Sequence, residues 1–385
     1  MSSISQSSPF RTLASLRLTV VCLGFGMVLV FLGTLAQVNL GIHAVQARYF
    51  QSVFIFWSPP GAHWRIPILP GGYVLGTVLL LNLLAAHATR FQFSRKKVGI
   101  ILLHFGVILL LVGQLLTGLF ARETQMRIDE GQTLGYSEAP REIELAVIDG
   151  SDPNFDQVVS IPERLLARGG TIQNQTLPFT LRVRQFLPNS SLEMRSQDQQ
   201  APPSLATNGV GTSIIVSEIP RTVKDDERDM SAAFVEINSA QGSLGTWLVS
   251  NAVSESQPFT VNNHTYNLIM RQRRYYKQFA LTLLHFAHDR YAGTDIPKNF
   301  SSRVHLTDLE RGENREVLIS MNDPLRYRGF TFYQAGFDKN DKTTILQVVR
   351  NPAMLLPYIA CGLVALGLVI QFSMHLFGFV KKRNQ

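Results

Sequence analysis

The chain has 385 residues, a formal net charge of +8, and 45% hydrophobic against 17% charged residues. The basic surplus is no nucleic-acid signature, because the charges are segregated. Residues 1–120 and 351–385 contain no Asp or Glu, while residues 121–350 carry all 28 acidic residues against 25 of the 36 basic ones, a net charge of −3. An acid-free hydrophobic frame around a near-neutral polar segment is the pattern of a membrane protein with a large aqueous domain.

Residues 1–17 are expected to be a cytoplasmic N-terminus. A first span follows at 18–35, read as retained because no small-residue cleavage site follows it and a second span comes soon after. Residues 36–71 form a loop in which Ile42, Val45, Tyr49, Phe50, Val53, Phe54 and Trp57 recur at helical spacing. That spacing predicts a short interfacial helix with an aromatic face, ended by a Pro/Gly-rich stretch. Either the face is a simple anchoring belt or it meets a planar hydrophobic ligand, with His43 and His63 as the outward candidates. The second span is expected at 72–88, a short loop at 89–97, the third span at 98–120, the fourth at 354–379 and a tail at 380–385. A helix crossing ~30 Å of hydrocarbon needs roughly 20 residues, so the first two spans borrow from their neighbours.

Arg11 and Arg17, then Arg90, Arg95, Lys96 and Lys97, then Lys381, Lys382 and Arg383 all fall on one side of these spans. The side rich in Lys and Arg is cytoplasmic. Residues 36–71 and 121–350 are therefore expected on the extracytoplasmic side of the cytoplasmic (inner) membrane.

Residues 121–350 read as mainly β. Runs such as "REIELAVID", "FTLRVRQFL", "AAFVEIN", "YNLIMRQRRYY" and "KTTILQVVR" are bounded by Gly, Pro, Asn and Asp, the signature of strands. The fold class expected is four transmembrane α-helices with a sandwich- or barrel-like β domain inserted between the third and fourth. The two cysteines, Cys22 and Cys361, lie in spans, so the domain has neither a disulfide framework nor thiol chemistry. No nucleophile elbow, phosphate-cradling glycine loop or paired carboxylates with a base is legible, so no catalytic residue is expected. His285 and His288 stand three apart in a strand-like run, where they point to opposite faces and suit a metal poorly. His264 and His305 read as surface residues.

Three histidines lie at membrane depth. At 1.5 Å per residue, His104 and His375 sit roughly 9–10 Å below the cytoplasmic edge and His87 nearer ~4–5 Å. An imidazole in hydrocarbon must find a donor, an acceptor or a metal inside the protein. His87 reads as an interfacial polar residue. Gly99, Gly106 and Gly113 make a seven-residue stripe suited to close helix packing. His104 lies about 140° around the helix from Gly99, facing away from that seam. A structural hydrogen bond, a metal or haem ligand, or a proton relay would each explain it, and His375 shares its depth.

The stretch "MNDPLRYRGFTFYQAGF", Met321 to Phe337, has a turn at Asn322-Asp323-Pro324 leading into an aromatic strand. Together with "GTDIPKNFSSRV" upstream, the opening "LASLRLTVVCLGFGMVLVFLGTLAQ" and the layout of three spans, a large outward domain and a fourth span, it resembles the ResB family, also called CcsB, of system II cytochrome c biogenesis proteins. The resemblance implies a subunit that works with a CcsA-type membrane partner. Together they move haem across the membrane and attach it to CxxCH of apocytochrome c, with thioredoxin-like proteins reducing the thiols separately. It implies haem b as a transient substrate and a non-catalytic or co-catalytic role in the haem lyase. His104 best matches the family's transmembrane histidine, an axial ligand to haem iron, with His375 and His87 as lesser candidates. The tryptophan-rich haem segment of the partner is missing from a chain with three Trp, so the partner is a separate polypeptide. A non-haem scaffold for assembly of a respiratory complex and a transporter or proton-relay subunit are the competing expectations. The scarcity of charge in the spans speaks against an ion pathway.

Overall fold

The computed structural model describes residues 8–59, 64–90, 94, 97–153, 155–196, 202–222, 227–291, 293, 297–338 and 342–383; His63, Arg95, Lys96 and the ends of the chain, on which expectations were placed, lie outside them. The chain forms two units, residues 1–122 with 350–385, and residues 123–349.

The first unit opens with α1 (Ser8–Leu13), α2 (Leu16–Val45), a π-helical turn at Gln46–Phe50, the strands β1 (Phe54–Trp57) and β2 (Ile66–Pro70), then α3 (Gly72–Arg90) and α4 (Val98–Phe120). The second unit holds β3 (Arg122–Asp129), β4 (Thr133–Asp149), β5 (Gln157–Pro162), the one-and-a-half-turn helix α5 (Glu163–Arg168), β6 (Gly170–Ile172), β7 (Phe179–Leu187), β8 (Ser190–Met194) and β9 (Ile214–Glu218). It continues with β10 (Ala232–Ser239), β11 (Gly242–Ser250), β12 (Gln257–Val261), β13 (His264–Arg290), β14 (Pro297–Asp308), β15 (Glu313–Ser320), β16 (Leu325–Tyr327), β17 (Phe330–Phe337) and β18 (Thr343–Arg350). The helix α6 (Leu356–Arg383) completes the first unit.

Among the described residues, four helices are long and apolar enough to cross a membrane. The helix expected at 18–35 is longer than its apolar core. Ser15 caps it by accepting the Leu18 N–H at 3.2 Å, and it runs on to Val45 past a break at Gly41, where φ is +72°. Glycine takes that conformation without Cβ strain.

The interfacial helix expected through Trp57 is corrected: helical backbone stops at Phe50, and Phe54–Trp57 is a strand paired antiparallel with Ile66–Pro70. An aromatic run of this length fits period 2 as well as period 3.6. Pro67 and Pro70 have no N–H to donate, which confines their segment to an edge strand. Ile55 is buried and packs with Leu29 of α2 and Leu75 of α3, while Phe54, Phe56 and Trp57 stay exposed.

The glycine stripe is the seam between α4 and α6. Gly99 lies against Gly367 and Gln371, Gly106 against Ala360 and Val364, and Gly113 against Leu356. All three are buried, as small residues that let two backbones approach should be.

In the β unit, the longest sheet runs in the order β15-β14-β13-β4-β3-β18-β17-β16, with β12 on β13 and β5 on β4, and a second sheet runs β11-β10-β7-β6. Two cores result. One is a sandwich in which Leu145, Leu268 and Met270 of the long sheet meet Leu181, Val235 and Trp247 of the second. The other gathers Leu281, Leu283, Val304, Phe332 and Leu346 where the long sheet curls on itself, nearly as a barrel. Strand β13, 27 residues long, serves both cores. Between them its pairing to β4 slips between Tyr276 and Leu281. Near this slip Lys277 bonds Ser137 Oγ at 2.6 Å and lies over the Phe330 ring. Burial pushes its ammonium down to about 8.

The motif read from Met321 onward builds a hairpin. Arg328 and Gly329, at φ +46° and +79°, form the two-residue turn between β16 and β17. Two residues with positive φ are what a type I′ turn requires. The strained Arg328 is held by its partners: Nη2 donates to Asp308 Oδ1 at 3.0 Å and Nη1 meets Glu310 at 2.8 Å, while Tyr327 Oη donates to Asp308 Oδ2 at 2.8 Å. Burial alone would raise the Asp308 carboxyl, but Tyr327, the Arg311 N–H and Arg328 outweigh it and hold the carboxyl below its ordinary value. The stabilisation is therefore complete above the ordinary aspartate value of about 4 and is lost as pH falls from there toward the lowered native value. Asp308→Asn should lower the melting temperature at neutral pH and flatten its fall in acid, as followed by circular dichroism of the strands. An acid dependence identical to that of the unaltered chain would refute this role.

Candidate functional site

The site lies within the first unit. His87 is on α3 and His104 on α4, and their rings meet edge to face with centroids 4.9 Å apart and planes at 76°. Helix α4 sets this arrangement. Its glycine face is taken up by α6, so a side chain on the opposite face is turned toward α3. The His87 imidazole also reaches the carbonyl one turn before it on its own helix, Nδ1 to Leu83 O at 2.8 Å. For neutral His87 that contact assigns the proton to Nδ1 and the lone pair to Nε2. This second-sphere pattern is the one that orients histidines for metal.

The two rings line a cavity of about 660 Å³ between α2, α3 and α4, inside the usual range for small-molecule sites. Its walls are mostly apolar, with Leu23, Leu79, Val107 and Leu111 among them, and Lys97 at the head of α4 supplies a cation. Asn82, buried on α3, closes one side. Its Nδ2 donates to Leu13 O at 2.6 Å and Ser15 O at 3.0 Å, and its Oδ1 accepts from Thr19 Oγ1 at 2.7 Å. The corner between α1 and α2 is thereby tied to α3 next to the histidines. The residue types suit a flat, largely apolar ligand with a metal for an imidazole and an acidic group for Lys97.

His375 does not join them. It is exposed on α6 and accepts from Gln371 Nε2 at 2.8 Å on its own helix. Equal depth does not bring two residues together when their helices turn them to different sides. The neighbour of His104 is instead His87, which depth alone had set apart as an interfacial residue. His43 is exposed beyond the Gly41 break. In the β unit His285 pairs with Glu130 at 3.0 Å, while the His288 ring packs 4.2 Å from that of Phe337. His264 bonds Ser151, and His305 bonds Asn314. Among the described residues no group of three or more His, Cys, Asp or Glu could hold a metal ion.

Sequence reading missed His87 as the partner of His104, and it missed Asn82 and Lys97. The available signal was the antiparallel helix pair joined by the loop at 89–97, which puts the end of α3 beside the start of α4.

Residues 237–345 match the family model for the ResB-like family, a segment that contains two of the three stretches that carry the resemblance, 293–304 and 321–337, and spans less than a third of the chain. The protein NrfI of Wolinella succinogenes is 35% identical over 91 residues, which are 24% of this chain and 10% of that protein. The matched region thus spans about a tenth of the length of that curated relative.

Proposed function

We propose, with the ResB-like segment as premise, that this protein is the haem-handling membrane subunit of a system II cytochrome c biogenesis complex. The observation that carries the reading is the meeting of His87 and His104 in one cavity among the apolar helices.

Haem is the substrate. Its iron takes a neutral imidazole as axial ligand, its apolar ring suits the cavity walls, and Lys97 offers a counter-charge for a propionate. On opposite faces of one porphyrin, with metal–nitrogen bonds of about 2 Å, two imidazole centroids would stand about 6 Å apart, further than the 4.9 Å between these rings. In this arrangement one imidazole of this chain would hold the iron, and a CcsA-type partner would supply the second ligand. His104 is assigned the ligand role. It is the deeper of the two by its distance from the cytoplasmic loop, and it matches the family's transmembrane histidine.

The β unit, expected outside the cytoplasm from the basic clusters, offers surface to apocytochrome c and to the partner. Attachment to CxxCH takes place on the complex, with the thiols kept reduced by separate thioredoxin-like proteins. The test is to purify the chain in detergent, alone and with its CcsA-type partner, from haem-replete cells and to record the absorption spectrum. A histidine-ligated Soret band is expected together with maturation of a reporter cytochrome c. Maturation that proceeds while the complex carries no haem above background would overturn the reading.

A further inference from the structure

A second cavity of about 630 Å³ lies between α2, α3 and α4, sharing the wall residue Leu111 with the histidine cavity but extending toward Gly118 at the far end of α4. Its chemistry is different. Four glutamines line it, Gln37 and Gln46 from α2 and its π-helical extension, Gln51 just beyond, and Gln114 from α4. None of the four side-chain amides has a hydrogen-bond partner among the described residues. Gln114 stands six residues before the end of α4, roughly 9 Å along the helix. At such depth an unsatisfied amide is costly, and polar side chains inside spans mark ligand sites.

The lining also says what kind of ligand. Among the described lining residues there is no charge, imidazole or thiol, so a haem here would find no cation for its propionates and no nitrogen or sulfur for its iron. Thr34, Thr77 and Tyr73 add only neutral hydroxyls. Gly76 leaves open space where a Cβ would stand, while Gly33 and Gly118 take the rings of Phe50 and Tyr73 against them, so that these two aromatic side chains form part of the wall. An amide offers both an N–H and a carbonyl. It can donate to a ring carbonyl or accept from a ring hydroxyl, so it serves both redox forms of one compound. Helices α2 and α4 each pack on α3, and Gln114 and Leu115 on the α4 side are exposed, which leaves a lateral way in for a lipid-dissolved molecule.

We propose that this cavity binds a neutral, lipid-borne compound of the quinone class, held through its ring oxygens by Gln114 and Gln37. The site is independent of the haem assignment, since it shares no polar residue with the histidine cavity.

The experiment uses the full chain in nanodiscs, with decylubiquinone and menaquinone-4 as probes and retained quinone measured by chromatography after equilibrium dialysis. The unaltered chain should retain about one quinone per chain at saturation. Gln114→Leu should weaken retention about tenfold, the worth of one lost hydrogen bond at the upper end of the usual range. Gln37→Leu should weaken it further in combination, and Gln114→Asn should keep part of it. Leucine is favourable in a span, so insertion is preserved, and the haem spectrum of Gln114→Leu should match that of the unaltered chain. Retention equal in the unaltered chain and in Gln114→Leu/Gln37→Leu would overturn the proposal, as a cavity filled by water or by a partner's helix would give. Loss of haem in Gln114→Leu without quinone retention in the unaltered chain would also overturn it and make the cavity a second haem station.

Discussion

His104→Ala should leave the chain inserted in the membrane and strip it of haem. Insertion is expected to survive because a span loses a polar group and gains an apolar one. Haem should not, because the variant removes the nitrogen assigned to the iron and leaves the cavity otherwise intact. Removing a group that merely orients a metal ligand typically costs 10–100-fold in affinity, so losing the ligand itself should lower co-purified haem by at least about tenfold. Cytochrome c maturation should fall with it. Added imidazole should restore part of both, because a small ligand can occupy the vacated space. His87→Ala should lower haem retention by a smaller factor, since its ring neighbours the ligand (centroids 4.9 Å apart) without holding the iron. His375→Ala, whose ring bonds only Gln371 on its own helix, should leave the spectrum unchanged. A wild-type spectrum and full maturation in His104→Ala would defeat the assignment, and a loss confined to His87→Ala would move the ligand role to α3.

Gly106→Ala should separate two helices that the unaltered chain holds in contact. A Cβ at that position would stand 2.6 Å from Val364 Cγ2 and 2.9 Å from the Ala360 carbonyl oxygen of α6. The side chain can turn away, but the carbonyl is helix backbone and cannot, so α6 must shift as a body. Overpacking of this kind costs about 1–3 kcal/mol. Gly362→Ala on α6 is the control, because a Cβ there meets nothing within 4 Å. It should be neutral or stabilising, by up to about 1 kcal/mol, since alanine loses less backbone entropy than glycine in a helix. Resistance of the purified chain to denaturation by sodium dodecyl sulfate would separate the two. Equal resistance of both variants would show that the seam is not a tight contact. The fraction of Gly106→Ala that stays folded should keep its histidine-ligated haem, because the seam and the cavity lie on opposite faces of α4.

How far the sequence could be read depended on the physical range of each signal. The bounds of α4 were legible because a cationic edge and a polar break enclose an apolar run interrupted by His104, Gln114 and Thr117. Strand β7 was legible because "FTLRVR" alternates, up to the irregularity at Arg184 and Gln185. The 27-residue β13 was legible only in part, since its pattern changes where it leaves one core for the other and slips against β4. Helix α5, six residues long, is too short to show a period. Residues 54–57 carried an aromatic pattern compatible with two periods, and pairing with a distant Pro-rich segment decided for the strand.

Local chemistry, then, was enough to establish that this is a chain of four apolar helices with a mainly-β unit, that one helix face is reserved for close packing, and that an imidazole set among apolar residues on the other face needs a partner. Hydrophobicity, charge and small-residue spacing act over a few residues and are written in the order of the chain. The short loop at 89–97 brings the end of α3 beside the start of α4, but that His104 turns its ring to His87 was decided by the tertiary structure. The rotation of α3 and α4 about their axes comes from the sum of their contacts with α2, α6 and the Asn82 tie, and no stretch of either helix encodes that sum by itself.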